Sequence, residues 1–231
     1  MAQLGLTLNN IYMFGNNSKL PFEKGDGHGL KVHSIFETIQ GEGPYSGYQA
    51  IFIRLSGCNL ACKFCDTEFD NYKILEIQDI LKKIESFKQI QPLIVITGGE
   101  PFRQNIAPLC KLLIRHNFKV QIETNGTLYL DIPNEVELVC SPKISNNKYN
   151  IIRDDVLKQT IAIKFIISSN IINYSDISEV GQKKYDIPVY VQPMDEYNKT
   201  INQKNLILAQ EIAKKHNVIL SLQIHKILNI D

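Results

Sequence analysis

The sequence lacks an excess of either charge. Lysine and arginine total 25 against 24 aspartates and glutamates, leaving a net charge of +1 over 231 residues. Nucleic-acid and anionic-membrane surfaces depend on clustered positive charge, so neither partner is expected. No apolar run reaches the roughly 20 residues needed to cross a bilayer. The opening MAQLGLTLNN has neither the basic start nor the apolar stretch of a secretory leader, and the chain is read as cytoplasmic. There is no internal repeat and no low-complexity tract. Cysteines are few and odd in number: five, three of them within eight residues. That arrangement argues against a disulfide framework and for metal binding or chemistry.

Residues 1–30 read as an N-terminal extension, because Gly-Asn-Asn-Ser and Lys-Gly-Asp-Gly-His-Gly suit loops. Residues 31–231 read as one catalytic domain. Strand-like runs fall at 31–37, 50–56, 93–97, 118–123, 136–141, 161–167, 188–192 and 217–224. Helix-like runs fall near 76–88, 104–116, 175–184 and 201–216, and the Asn- and Lys-rich stretch 143–150 reads as an exposed loop. This alternation predicts an α/β fold with a mostly parallel sheet or open barrel. Ligands of such folds sit at the C-terminal ends of the strands. Five polar segments follow predicted strands: Cys58 onward, Thr97 to Pro101, Glu123 to Gly126, Ser141-Pro142-Lys143 and Gln192 to Asp195. They are expected to converge on one rim.

The first of these is Cys58-x3-Cys62-x2-Cys65. Three thiolates on a short loop suit three irons of a 4Fe–4S cluster, and with no fourth cysteine nearby one iron keeps an open position. A structural zinc site needs a fourth ligand that the neighbourhood lacks. Cys110 and Cys140 sit in apolar segments and read as core residues.

The cysteine spacing, the aromatic Phe64 before the last cysteine and Gly98-Gly99-Glu100-Pro101 resemble the radical S-adenosylmethionine superfamily. That resemblance implies an abbreviated, open (β/α) barrel, in which S-adenosylmethionine chelates the open iron and is cleaved to a 5′-deoxyadenosyl radical. From Lys31 onward the chain is further similar to the 7-carboxy-7-deazaguanine synthase family, through Ile35 to Gly43, Phe52 to Cys58, Cys65-Asp66-Thr67, Glu123 to Thr127 and Ser221 to Lys226. Such enzymes are lyases that convert 6-carboxy-5,6,7,8-tetrahydropterin to 7-carboxy-7-deazaguanine, releasing ammonia, on the way to queuosine and other 7-deazapurines. S-adenosylmethionine is recovered.

Carried over position by position, the resemblance assigns the substrate to Ile39, Gln40, Gly41, Glu42, Arg54, Thr97 and the terminal carboxylate of Asp231. It assigns S-adenosylmethionine to Phe64, Gly99, Ser141, Pro142, Lys143, Gln192, Pro193, Met194 and Asp195, with Glu123 for the ribose hydroxyls. Thr67 is the magnesium ligand. A homodimer and a flavodoxin-type electron donor are also implied. The residue chemistry agrees with these roles. An arginine fork matches a carboxylate, a glutamate accepts from an amino edge, and magnesium takes hard oxygens. Two departures stand out: the interval between Cys58 and Cys62 is short where some members have a long insertion, and the chain ends in Asp231 where several relatives have proline. Rival readings are a glycyl-radical-enzyme activase, which would need no carboxylate clamp, and an iron–sulfur electron carrier, which would favour four cysteines.

Overall fold

A computed structural model of the chain describes residues 17–65, 67 and 71–230. Eleven short strands are present: β1 Gly29–Ile39, β2 Gln49–Leu55, β3 Lys73–Glu76, β4 Leu93–Gly98, β5 Lys119–Thr124, β6 Glu137–Cys140, β7 Ile144–Ser145, β8 Lys148–Tyr149, β9 Thr160–Ile167, β10 Val189–Pro193 and β11 Ile219–Leu220. Five helices accompany them: α1 Ile77–Glu85, α2 Ala107–Arg115, α3 Asp154–Leu157, α4 Lys199–His216 and α5 Ile224–Leu228. Nine strands form one sheet in the order β11-β10-β9-β6-β5-β4-β2-β1-β3. From β2 to β11 neighbours run parallel, whereas β1 is antiparallel to both β2 and β3. Among the described residues β3 and β11 do not pair, so the sheet is open, as an abbreviated barrel requires.

Strand side chains alternate between faces. One face of the sheet, with Ile51, Ile53, Leu55, Ile94, Ile96, Val120, Ile122, Ile163 and Phe165, joins a single buried core. The helices supply the other half of that core. Ile77, Ile80, Leu81 and Ile84 of α1 recur at helical spacing and are buried. Leu109, Cys110 and Leu113 do the same on α2, and Ala209 and Ile212 on α4. Helix α4 begins where the Asn198 carbonyl oxygen of the side chain accepts from the backbone N–H of Thr200 and Ile201, and it ends at Asn217 in the left-handed region. Burying large aliphatic side chains of this kind contributes roughly 1.5–3 kcal/mol each. Cys110 and Cys140 lie wholly inside this core, as read from sequence.

Three expectations need correction. The 175–184 segment is not an α-helix; only a 3-10 turn over Gln182–Tyr185 forms. Asp176 bonds the Ile177 N–H and is held by Lys215 and His216, while Gly181 has φ of 117°, so local polar bonds outcompete helix. The 217–224 strand is cut to Ile219–Leu220, because Ser221 turns to bond Gly43 and Gln192 and Ile224 starts α5. The 143–150 loop contains the β7–β8 hairpin, with Asn146 and Asn147 both at positive φ as a tight two-residue turn demands.

Residues 17–28 carry little regular structure yet lie against the domain. Leu20 N–H donates to the Cys58 carbonyl at 2.8 Å and Glu23 N–H to the Arg103 carbonyl at 2.8 Å. The cut expected at residue 30 falls inside β1, whose Leu30 is 1% exposed. No helix of the described residues is long and apolar enough to cross a membrane.

Candidate active site

Among the described residues the opposite face of the sheet is met by loops and the short α5 turn, and its residues turn polar toward the C-terminal strand ends. Arg54 of β2 pairs in register with Thr97 of β4. Glu123 of β5, Lys164 of β9 and Gln192 of β10 continue across the same face. They line a cavity of about 470 Å³ whose wall also holds Cys58, Cys62, Phe64, Cys65 and Thr67. Ile39, Gln40, Glu42, Gly99, Ser141, Lys143, Pro193, Met194 and Asp195 line it too. The five segments expected on one rim therefore do meet. Gly41 and Pro142 back the wall without facing the cavity. Asp231 and Asp66 lie outside the described residues.

The cysteine loop is fixed from three sides. Gly57, at φ 83°, sits so close to Arg103 that a Cβ would meet its guanidinium at 2.4 Å. Arg103 is 1% exposed and donates to the carbonyls of Ser56 and Pro21, while Glu23 pairs with it at 2.7 Å. Asn59 exchanges side-chain bonds with Asn125 (2.9 Å) and Thr127 (2.8 Å). Phe64 packs edge-on against Tyr174 at 4.9 Å.

The Gly-Gly-Glu-Pro turn locks the next strand to this loop. Its glycines are demanded by protein backbone: a Cβ on Gly98 would lie 2.1 Å from the Leu55 carbonyl oxygen, and one on Gly99 2.0 Å from that of Gly57. Glu100 is fully buried and accepts from Thr124 Oγ1 (2.8 Å), Asn125 N–H (2.8 Å) and Phe102 N–H (3.1 Å). Burial pushes its carboxyl up to about 7 against the pull of those bonds. Glu100 thus ties the β4 end to the β5 end.

Elsewhere on the cavity wall a chain of carboxylates and amides forms. Gln40 donates to Glu123 Oε1 at 3.0 Å, and Gln121 donates to the same atom at 3.2 Å. Lys164 pairs directly with Glu42 Oε2 and lies 3.6 Å from Glu123 Oε2. Gln223 donates to Glu42 Oε1 at 2.8 Å. Burial alone would raise the Glu42 carboxyl, but the Lys164 charge and bond, with Gln223 and Gln192, hold it down at about 2. The loop bearing Glu42 is latched by the α5 turn, where Ile224 N–H meets the Gly41 carbonyl and a Cβ on Gly41 would strike His225 Nδ1 at 2.2 Å. Lys164, Gln223, His225, Phe36 and Phe52 line the cavity without having been predicted to. Lys164 did leave a signal: it is a lone charge in the apolar run TIAIKFII. Arg54 lies over the Phe36 ring at 5.3 Å, and Phe36 stacks on Phe52 at 5.5 Å.

The thiols suit an iron–sulfur cubane. All three are partly buried and face one volume. Among the described residues no three His, Cys, Asp or Glu groups close on a single ion. A cubane does not ask that, since each thiolate takes a different iron. Burial pushes the free Cys58 thiol up to about 12, so loading must remove its proton.

Residues 52–141 match the family model described as the Radical SAM superfamily, which places the site in the class of radical S-adenosylmethionine enzymes. Within that class, the chain is 54% identical to the 7-carboxy-7-deazaguanine synthase of Rickettsia prowazekii (strain Madrid E), over 97% of this chain and 98% of the relative. It is 35% identical to the enzyme of that name from Rhodospirillum rubrum, over 94% and 100%. Its fold is similar to the crystal structure of QueE from Escherichia coli, with a TM-score of 0.70 and 25% identity, over 84% of this chain and 94% of that one. The chain belongs to the 7-carboxy-7-deazaguanine synthase family. It is a radical S-adenosylmethionine enzyme and a lyase, and membership implies a 4Fe–4S cluster and S-adenosylmethionine.

Proposed function

We propose that the chain converts 6-carboxy-5,6,7,8-tetrahydropterin to 7-carboxy-7-deazaguanine with loss of ammonia, in the cytoplasm, with magnesium bound. The catalytic domain begins no later than β1 at Gly29, ahead of the cut expected at residue 30. The observation that carries this reading is one cavity lined by three thiols, an arginine fork and a glutamate anchored by Lys164. A carboxypterin has a carboxylate and an amino-pyrimidinone edge, so the fork and the glutamate match its two polar groups in sign.

Cys58, Cys62 and Cys65 would hold the cluster, which with S-adenosylmethionine supplies a 5′-deoxyadenosyl radical. Phe64, Gly99, Ser141 to Lys143 and Gln192 to Asp195 would bind S-adenosylmethionine, with Glu123 taking the ribose hydroxyls. Arg54 grips the substrate carboxylate, and its stacking on Phe36 limits how far the fork can swing. Thr97, the register partner of Arg54, adds a hydroxyl beside it. Glu42 and the 39–41 backbone take the amino edge; the substrate role of Asp231 rests on the family resemblance alone. Thr67 offers magnesium a hard oxygen two residues past the last thiol. Fixing both ends of the substrate is what proximity catalysis requires, since reacting atoms must approach within roughly 3–3.5 Å. A flavodoxin-type protein supplies the electron, and the enzyme works as a homodimer.

The test is anaerobic turnover. Reduced, cluster-loaded protein with S-adenosylmethionine and magnesium should convert carboxytetrahydropterin to a product with the mass and ultraviolet spectrum of carboxydeazaguanine. Cleavage to 5′-deoxyadenosine with the pterin unchanged would sink the substrate assignment.

A further inference from the structure

On one stretch of the cavity wall two carboxylates, Glu42 and Glu123, flank a buried ammonium, Lys164. The Lys164 side chain is 5% exposed, against 15% for Glu42 and 22% for Glu123. A lysine at this depth is costly to bury unless its charge is matched and its donors are used. Here it reaches Glu42 directly and Glu123 at a longer 3.6 Å. The remaining donors come from three other places in the fold: Gln223 at the start of α5 bonds Glu42, while Gln40 after β1 and Gln121 on β5 bond Glu123. All four carboxylate oxygens are thereby directed. A carboxylate has about four lone-pair sites, so each keeps acceptor capacity toward the cavity. Two carboxylates against one ammonium leave this cluster with a charge of −1 from its own members.

We infer that Lys164 is a positioning residue for the substrate: it keeps Glu42 ionised and aimed so that the glutamate accepts from the amino-pyrimidinone edge. This rests on the pterin reading above. A neutral side chain at 164 would leave two buried carboxylates facing each other, and Glu42 would take a proton or turn away. The acceptor edge would be lost while the thiol end stayed intact. Because the bond to Glu42 is direct and the approach to Glu123 is long, pterin affinity should suffer far more than S-adenosylmethionine affinity.

The experiment is equilibrium binding to anaerobic, cluster-loaded protein in the oxidised state, where no turnover occurs. The ligands are carboxytetrahydropterin, an analogue lacking the 2-amino group, and S-adenosylmethionine. Lys164→Met should weaken carboxypterin binding by at least about ten-fold, the size of one charge-assisted hydrogen bond. S-adenosylmethionine binding should move by less than about three-fold, with iron content and melting temperature preserved. In wild type the analogue should bind about ten-fold more weakly than carboxypterin, and in Lys164→Met that penalty should nearly vanish, because both changes remove the same contact. Lys164→Arg should recover part of the affinity. If Lys164→Met does not fold, Gln223→Leu, which removes another donor on Glu42, should weaken carboxypterin in the same direction by a few-fold. Wild-type affinity in the folded variant, or an analogue penalty equal in both proteins, overturns the role of Lys164. Wild type that fails to bind carboxypterin at all overturns the substrate reading, and this inference with it.

Discussion

The two faces of the sheet are written by the same strands and do different work. On β2, Ile51, Ile53 and Leu55 point to the helices, while Ala50, Phe52 and Arg54 point away. On β9, Ile163, Phe165 and Ile167 are core, and Lys164 and Ile166 line the cavity. The covered face is apolar along its full length. The open face has a small apolar patch of Ala50, Leu93 and Val95 packed under Tyr45 and Phe52, and carries Arg54, Glu123 and Lys164 further along its strands. A helix layer makes one face rigid and leaves the other as a floor on which loops assemble a site. Stability should therefore answer to the first face and chemistry to the second.

The sharpest way to break this comparison uses cysteine, which occurs on both sides. Replacing Cys58, Cys62 or Cys65 with Ala should abolish the cluster absorbance and S-adenosylmethionine cleavage, because two thiolates do not hold the cubane. Cys110→Ala, in the core, should keep iron and activity and lower stability by about 1 kcal/mol through the small cavity it leaves. A Cys62→Ala protein with full iron and turnover would end the assignment.

Neighbouring residues of β2 give the next contrast. Arg54→Lys should lower product formation by about 10–100-fold, because an ammonium cannot reproduce the bidentate fork. Its melting point, iron content and S-adenosylmethionine affinity should hold. Ile53→Ala, one residue away but facing the helices, should cost about 2–5 kcal/mol of stability in denaturant melts. The enzyme that remains folded should keep its affinity for substrate. Equal stability losses in the two variants would mean that the faces are not separable.

How much of this was legible in the sequence follows the same division. The short apolar runs of FIRLSGC and LIVITGG, each ending in polar residues or glycine, reveal strand and rim together, so Arg54, Thr97 and the cysteines could be placed in advance. Lys164 was legible as a lone charge with apolar flanks, but its partner Glu42 is 122 residues away and no local pattern names it. Gln223 and His225 were hidden for another reason. The tail was read as strand to residue 224, and only contacts with Gly41 and Gly43 turn it into the α5 latch. The same is true of 175–184, where Asp176 finds Lys215 and His216 on α4 instead of completing a helix. The glycines of the Gly-Gly-Glu-Pro turn leave room for the Leu55 and Gly57 carbonyls, contacts that no local pattern names.

A smaller effect is expected at Thr67. As a magnesium ligand beside retained waters, it contributes one oxygen among several. Thr67→Ala should raise the magnesium concentration for half-maximal turnover by a few-fold, without altering the iron content or the visible spectrum. An unchanged magnesium titration would remove Thr67 from the metal site.

The smallest effect tests whether the segment before β1 belongs to the floor of the site. Glu23 bonds Lys31 at 2.8 Å and Arg103 at 2.7 Å, and Arg103 in turn braces Gly57 and Ser56 at the base of the cysteine loop. Burial works to raise the Glu23 carboxyl, but the bonds from Lys31 and Arg103 outweigh it, and its pKa lies below the ordinary value of 4.5. A carboxylate with a lowered folded pKa stabilises the fold at pH above its unfolded value, and that contribution is lost as pH falls through the folded value. Glu23→Gln keeps the shape and one acceptor but removes the charge. Near neutral pH it should cost about 1 kcal/mol, because Glu23 is partly exposed and Arg103 keeps two carbonyl partners. In a chain of this size that is a fall of about 2–4 °C in melting temperature. As pH drops below 4.5 the wild type loses the same contribution and the two melting curves should converge. A gap that stays constant with pH would make Glu23 a packing residue, and no gap at all would detach this segment from the stability of the cysteine loop.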